Sequence, residues 1–140
     1  MNPPLVTDVC LITRDLDASV EFYTKKLHFQ LSSQMPGFAD FVGHGFVLAL
    51  WDAKKLQEST GVPGQISEPT GHGVMLAIEV NSPAEVDKAY EDLLARGVVF
   101  YGEPKDYPWN TRSIFFSGPS GEFWEYFAWR EGGKPGVLPQ

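Results

Sequence analysis

Cys10 is the only thiol in the chain, so no intrachain disulfide can staple it, and a reducing compartment is the simplest expectation. Basic residues are also scarce. Eleven Lys and Arg face 18 Asp and Glu, a net charge of −7, with neither a basic cluster nor a basic stripe. Nucleic acid and anionic membrane surfaces are therefore not expected as partners. The acidity is an ordinary solubility device, or a weak attraction for cationic ligands. No run of 18 apolar residues occurs, which argues against a membrane-spanning helix. The opening M-N-P-P-L-V-T-D has no basic region leading into an apolar stretch, so no secretory signal is expected and the expected location is cytoplasmic. Nucleophile–base pairs are missing too: Cys10 has no histidine near it, and Ser113 and Ser117 have no evident base, so catalytic residues stay unassigned. The G-H-G and G-P-S-G stretches read as hairpin turns rather than strand-to-helix phosphate loops.

What is present is a globular composition, 43% apolar and 14% aromatic over 140 residues, enough for one domain with a sizeable core. Within it lies a duplication. At an offset of 67 residues, D-V-C-L-I-T-R-D-L-D-A-S-V-E-F-Y-T-K-K-L from Asp8 falls on M-L-A-I-E-V-N-S-P-A-E-V-D-K-A-Y-E-D-L-L from Met75. Tyr23 then meets Tyr90, and Leu27 meets Leu94. Later, G-F-V-L-A-L-W from Gly45 lines up with G-E-F-W-E-Y-F from Gly121, which sets Ala49 opposite Glu125.

Each copy reads as strand, helix, then three strands. In the first, residues 5–13 form a nearly continuous apolar strand, and Asp15 or Asp17 caps a helix with Leu16, Val20, Tyr23 and Leu27 at helical spacing. Strands follow at 29–35, at F-A-D-F-V and at F-V-L-A-L-W, the last two joined by a G-H-G hairpin. Residues 53–71 are polar and carry five Gly and Pro residues, which reads as a connecting segment. In the second copy, 73–80 is a strand and Ser82-Pro83-Ala84-Glu85 a strong helix start, with a capping serine, proline at the first helical position and a glutamate reaching back. Val86, Ala89, Tyr90, Leu93 and Leu94 form its buried face, and Gly97 stops it. Strands are expected at 98–103, 111–117 and 122–129, then a loose tail after Arg130. The expected architecture is α+β: two βαβββ modules, residues 5–52 and 72–129, forming a curved mixed sheet with a cleft.

On these stretches, and on P-W-N-T-R-S-I-F-F-S-G-P-S-G-E-F-W-E, which is similar to a "W-G-x-R … D-P-x-G-x-x-x-E" motif, the chain resembles the vicinal oxygen chelate superfamily. That superfamily contains glyoxalase I, extradiol dioxygenases, fosfomycin-resistance enzymes and bleomycin-resistance proteins. The resemblance covers essentially the whole chain and implies the glyoxalase/bleomycin-resistance fold. Its enzymes hold a divalent metal with His, Glu or Gln on the first and last strand of each module. Carried over position by position, those places fall on Asp8, Ala49, Met75 and Glu125. Alanine has no donor atom, a thioether suits such ions poorly, and two carboxylates alone hold an ion weakly. His28 stands in a turn where the family has glycine, His44 in a hairpin, and His72 ahead of its strand. No metal and no other cofactor is therefore expected.

Strand alternation puts Phe123, Glu125 and Phe127 on one face, with Val47, Ala49 and Trp51 as their first-copy counterparts. Asp8, Cys10 and Ile12, and likewise Met75, Ala77 and Glu79, belong to the same cleft. Trp124 and Tyr126 point the other way, into the core. The stretches L-A-L-W-D and Y-P-W-N-T-R resemble the antibiotic-binding branch, the mitomycin- and bleomycin-binding proteins, which the resemblance implies sequester planar drugs between aromatic side chains as homodimers. Trp51 is either such a wall or a strand-end core residue. Trp109 is either a wall or a rim or dimer contact. Glu125 either pairs with Arg112, or meets a cationic ligand group, or is an exposed remnant of a metal-binding ancestor. The ligand-binding set expected from the sequence is Trp51, Trp109, Glu125, Asp8, Phe123, Phe127, Arg112 and Met75. The expected function is metal-independent sequestration of a planar aromatic compound, cationic or neutral. The alternative is a metal-dependent glyoxalase- or dioxygenase-type enzyme using Asp8 and Glu125 with a divalent ion. An accessory protein whose dimer surface matters more than its cleft is a third reading.

Overall fold

A computed structural model describes Pro3 and residues 7–43, 45–62 and 74–131. The chain divides into two units, residues 1–70 and 71–140. The first contains β1 (Asp8–Thr13), α1 (Leu16–Glu21), β2 (Leu31–Met35), β3 (Phe38–Phe41), β4 (Val47–Asp52) and α2 (Ala53–Thr60). Its sheet runs β1-β4-β3-β2, with β1 parallel to β4 and the other pairs antiparallel. The second contains β5 (Met75–Glu79), α3 (Pro83–Ala95), β6 (Lys105–Asp106), β7 (Thr111–Ser117) and β8 (Phe123–Trp129), in the order β5-β8-β7-β6. This is the same topology, again with one parallel pair. The βαβββ reading and the α+β class hold. Among the described residues no helix is long and apolar enough to cross a membrane.

The main helices begin as their sequences dictate. The Asp15 carboxylate accepts from the Ala18 amide at 3.0 Å to cap α1. At α3, Ser82 Oγ accepts from the Glu85 amide at 3.3 Å, while Glu85 Oε2 reaches back to the Asn81 amide at 2.6 Å. Donors that the first helical turn leaves orphaned are thus satisfied. The ends differ between modules. Downstream of α1 the helix widens into a π turn over Phe22–Lys26 and stops at His28, a non-glycine residue with φ of 63°. α3 stops at Gly97 with φ of 88°, a conformation glycine adopts without a Cβ clash.

Each helix packs on one face of its own sheet. In the first unit Tyr23 is fully buried against Phe29 and Phe41, with Leu11, Leu48, Leu50 and Ala39 also buried. Thr13 Oγ1 and Ser19 Oγ, 2.8 Å apart, tie β1 to α1. In the second unit Val86 of α3 meets Ile114 of β7 and Ala128 of β8, with Ala89, Tyr90, Phe100 and Tyr126 packed around them. Trp124 is buried and Tyr126 belongs to this cluster, both pointing away from the helix-free face as alternation requires.

Three details depart from the sequence reading. Leu94, expected on the buried face, is 50% exposed, whereas Leu93 is 1% exposed. The π turn adds a residue to the first helix and changes its phase, so the buried Leu27 corresponds in packing to Leu93 rather than Leu94. The segment expected to be wholly a connection, 53–71, starts with α2. Asp52 caps it by accepting from the Lys55 amide at 3.0 Å, Leu56 anchors it, and Gly61 ends it with φ of 79°. The strand expected at 98–103 shrinks to a bridge between Phe100 and Phe116 plus one bond from the Tyr101 amide to the Phe115 carbonyl. Gly102, with φ of 96°, and Pro104, which has no amide proton, break the ladder until β6. Residues 5 and 6, His44, His72, the later part of the connecting segment and residues 132–140 lie outside the described residues.

Candidate functional site

Strand register decides which side chains share a face. Asp8, Cys10 and Ile12 of β1 pair with Val47, Ala49 and Trp51 of β4, and Met75, Ala77 and Glu79 of β5 pair with Phe123, Glu125 and Phe127 of β8. The duplication is thus obeyed residue for residue. All twelve lie on the sheet face away from their own module's main helix. That helix-free face is where a site can form, because the other face is core.

In the first module this face is sparse. Trp51 is half-buried and meets Phe38 edge to face, with centroids 5.8 Å apart. Asp40 is the Cα partner of Ala49, and its carboxylate accepts from Ser33 Oγ at 2.7 Å. Asp8 is exposed and accepts from Thr7 Oγ1 at 2.6 Å. Cys10 as a residue is exposed. Burial around its sulfur, and then the Asp8 carboxylate, nevertheless push the thiol pKa up from its ordinary value. A neutral thiol is a poor nucleophile, in line with the lack of a base partner.

The second module carries an aromatic face instead. Phe123, Glu125, Phe127 and Trp129 follow one another at every second position of β8, all half-buried. Phe115 of β7 is the Cα partner of Glu125. Phe127 and Trp129 meet edge to face at 5.5 Å, and Tyr101 meets Phe123 at 6.1 Å. Trp129 Nε1 is buried and has no hydrogen-bond partner among the described residues. Ser113 and Thr111, also on this face, are buried and bonded to each other at 3.0 Å.

The turn between β6 and β7 presents Trp109. Asn110 takes a left-handed conformation, φ 72°, which asparagine tolerates better than most residues. Its side-chain amide donates to the Glu131 carbonyl at 3.2 Å, and its backbone carbonyl accepts from the Arg130 amide at 2.9 Å, fixing the turn to the end of β8. Held this way, Trp109 stacks on Tyr107, with centroids 4.7 Å apart and planes 18° apart. Tyr107 in turn meets Phe115 edge to face at 5.9 Å, and Lys105 Nζ lies 5.4 Å from the Tyr107 ring centroid. Trp109 remains 43% exposed, so its indole is available for a further contact.

Arg112 does not join this face. It pairs with Ala128, one of the helix-side positions, and its Nε donates to Asp87 of α3 at 2.8 Å while Nη1 donates to Asp106 at 3.0 Å. The two carboxylates raise its pKa above the ordinary guanidinium value. Of the alternatives for Glu125, pairing with Arg112 is ruled out: the sheet separates them, and Arg112 ties α3 to its strands. Six residues of the helix-free faces were missed by sequence reasoning: Tyr107, Phe115, Trp129, Tyr101, Phe38 and Asp40. Alternation along β7 and β8 signals Phe115 and Trp129. Asp40 needs the register of β3 on β4.

The four strand positions that the family resemblance implies for a divalent ion do not suit one. Ala49 is 4% exposed and offers a methyl group, and Met75 offers a thioether and is 54% exposed. Among the described residues no three His, Cys, Asp or Glu side chains come together in a metal-holding group.

The model of the Glyoxalase/Bleomycin resistance protein/Dioxygenase superfamily matches residues 6–126. Among solved structures, a glyoxalase/bleomycin resistance protein/dioxygenase from Nocardioides is 62% identical, with 99% of this chain and 92% of that one covered and a TM-score of 0.89. A glyoxalase-related enzyme from Fulvimarina pelagi is 28% identical, with 88% and 86% covered and a TM-score of 0.75. A lactoylglutathione lyase from Agrobacterium tumefaciens is 21% identical, with 91% and 96% covered and a TM-score of 0.71, a likeness of fold alone. No curated protein matches. A family model spanning most of the chain and a relative at 62% identity agree with the duplicated βαβββ topology: the chain belongs to the glyoxalase/bleomycin resistance protein/dioxygenase superfamily.

Proposed function

We propose that this protein is a metal-independent small-molecule binder of the bleomycin-resistance type, taking a planar aromatic compound on the helix-free face of its second module. The observation that supports this is the aromatic run Trp109–Tyr107–Phe115, continued by Phe123, Phe127 and Trp129 on β8. An aromatic ring stacked on such a wall gains roughly 0.5–1.5 kcal/mol beyond the area it buries. Two walls supply useful affinity without any bond being made or broken. The donor sets at the family's metal positions favour the same reading, because two of the four lack a hard donor.

Tryptophan fluorescence tests it. Titration with bleomycin, mitomycin and polycyclic aromatic probes is expected to quench the emission saturably, and Trp109→Ala is expected to weaken the binding roughly three- to tenfold. Absence of quenching by every probe, or quenching indifferent to Trp109→Ala, overturns the proposal. Metal analysis of protein purified without chelator addresses the enzyme alternative. Stoichiometric Zn, Ni, Fe or Mn, lost on Asp8→Ala or Glu125→Ala, would replace the binding reading with metal-dependent catalysis.

A further inference from the structure

Glu125 stands in the middle of β8 with hydrocarbon at the four nearest positions of its face and Ser113, Ser117 and Glu79 at the diagonals. Phe123 and Phe127 flank it along the strand, Phe115 is its partner on β7, and the methyl of Ala77 is its partner on β5. It is half-buried, and among the described residues no hydrogen bond or ion pair reaches its carboxylate. Among the described residues, Arg112 is bound to Asp87 and Asp106 on the opposite face and Arg130 lies 3.6 Å from Asp106. Lys105, which shares this face through its pairing with Ser113, holds its ammonium 5.4 Å from the Tyr107 ring centroid and makes no bond to Glu125. Glu79, the partner of Phe127, adds a second acid to the same face.

A carboxylate against phenyl rings is unfavourable until a counter-charge arrives. Phenyl faces carry a negative quadrupole and attract cations as well. A divalent metal needs several oxygen or nitrogen donors, which three phenylalanines and an alanine cannot supply. An organic cation needs only one carboxylate and the rings. A phosphate or carboxylate ligand would be repelled by both acids. We infer that the ligand carries a positively charged nitrogen, an alkylammonium or N-alkylated heteroaromatic group, which ion-pairs with Glu125 inside the ring of Phe115, Phe123 and Phe127. This assignment rests on the binding reading above and adds the ligand's charge to it.

The test compares two probes of equal ring area: 9-(aminomethyl)anthracene, a cation at pH 7, and 9-anthracenemethanol, its neutral counterpart. Wild-type protein is expected to bind the amine roughly tenfold to a hundredfold more tightly. Glu125→Gln is expected to bring that ratio to about one, and Phe115→Leu to lower it about threefold, with thermal melting of each variant verifying its fold. Glu79→Gln is expected to change the ratio less than twofold. Equal binding of both probes by the wild type sinks the cation assignment and leaves the binding reading standing. Loss of selectivity in Glu79→Gln but not in Glu125→Gln overturns the assignment to Glu125. Binding of neither probe removes the binding reading and this inference with it.

Discussion

The two modules share strand order, strand directions and pairing register, yet their helix-free faces carry different chemistry. Where the first has Val47, Ala49 and Trp51 on its last strand, the second has Phe123, Glu125 and Phe127. The neighbouring strands diverge as well, with Asp40 beside Ala49 and Phe115 beside Glu125. Duplication preserves the backbone because hydrogen-bond register is shared by every residue of a strand. A side chain on a face that its own helix does not cover is free to change. The face, not the fold, is where the copies have separated.

The comparison breaks most visibly at the equivalent pair Ala49 and Glu125. Copying the second module's carboxylate into the first, Ala49→Glu, places a charge at a position only 4% exposed, with Asp40 as its cross-strand partner. Destabilisation of about 3–5 kcal/mol is expected in chemical denaturation, against less than about 1 kcal/mol for Glu125→Ala. Equal and opposite values, Glu125→Ala stabilising by as much as Ala49→Glu destabilises, would show that the sites share an environment as well as a register.

A smaller effect sharpens the contrast between helix ends. His28 and Gly97 both hold left-handed conformations, but only glycine does so without a Cβ penalty. His28→Gly is expected to gain about 0.5–1 kcal/mol, and Gly97→Ala to lose about 1 kcal/mol. Opposite signs in paired melting curves support this account, and a loss in both overturns it.

The smallest effect concerns Cys10, whose counterpart Ala77 has no thiol. Because burial and Asp8 raise its pKa, alkylation by iodoacetamide at pH 7 is expected to be slower than for a free cysteine. The rate should climb about tenfold per pH unit past the ordinary thiol range, and Asp8→Asn should speed it. A plateau already reached below pH 8 contradicts the shift. The sign for stability follows. The contribution is fully present below the unfolded thiol's pKa and fades as pH rises through the higher folded value, since the unfolded chain ionises first.

Much of the fold was legible because it was written twice. The capping box at Ser82 and Glu85, the stop at Gly97 and the alternation on β8 each carry a local signal, and each stands where expected. α2 escaped notice because one apolar anchor, Leu56, makes no periodic pattern, and the Gly- and Pro-rich residues after it dominate the segment. Leu94 was placed on the buried face because it follows Leu93 on the apolar stripe of α3, and local spacing does not say which of two adjacent leucines turns inward. Whether Arg112 reaches Glu125 was open in the sequence because its face depends on the register of β7 against β8, set by bonds between residues far apart in sequence.

By itself the amino-acid sequence determined the duplicated topology, the equivalence of Asp8, Ala49, Met75 and Glu125, and the chemical poverty of that set for holding a metal. Those are properties of local pattern and residue identity. The tertiary structure decided which aromatic rings stand beside Glu125, where Arg112 spends its charge, and how Tyr107 supports Trp109. Side chains alternate with a period of two, so a slip of one residue in pairing would exchange the two faces, and only the assembled ladder decides between them.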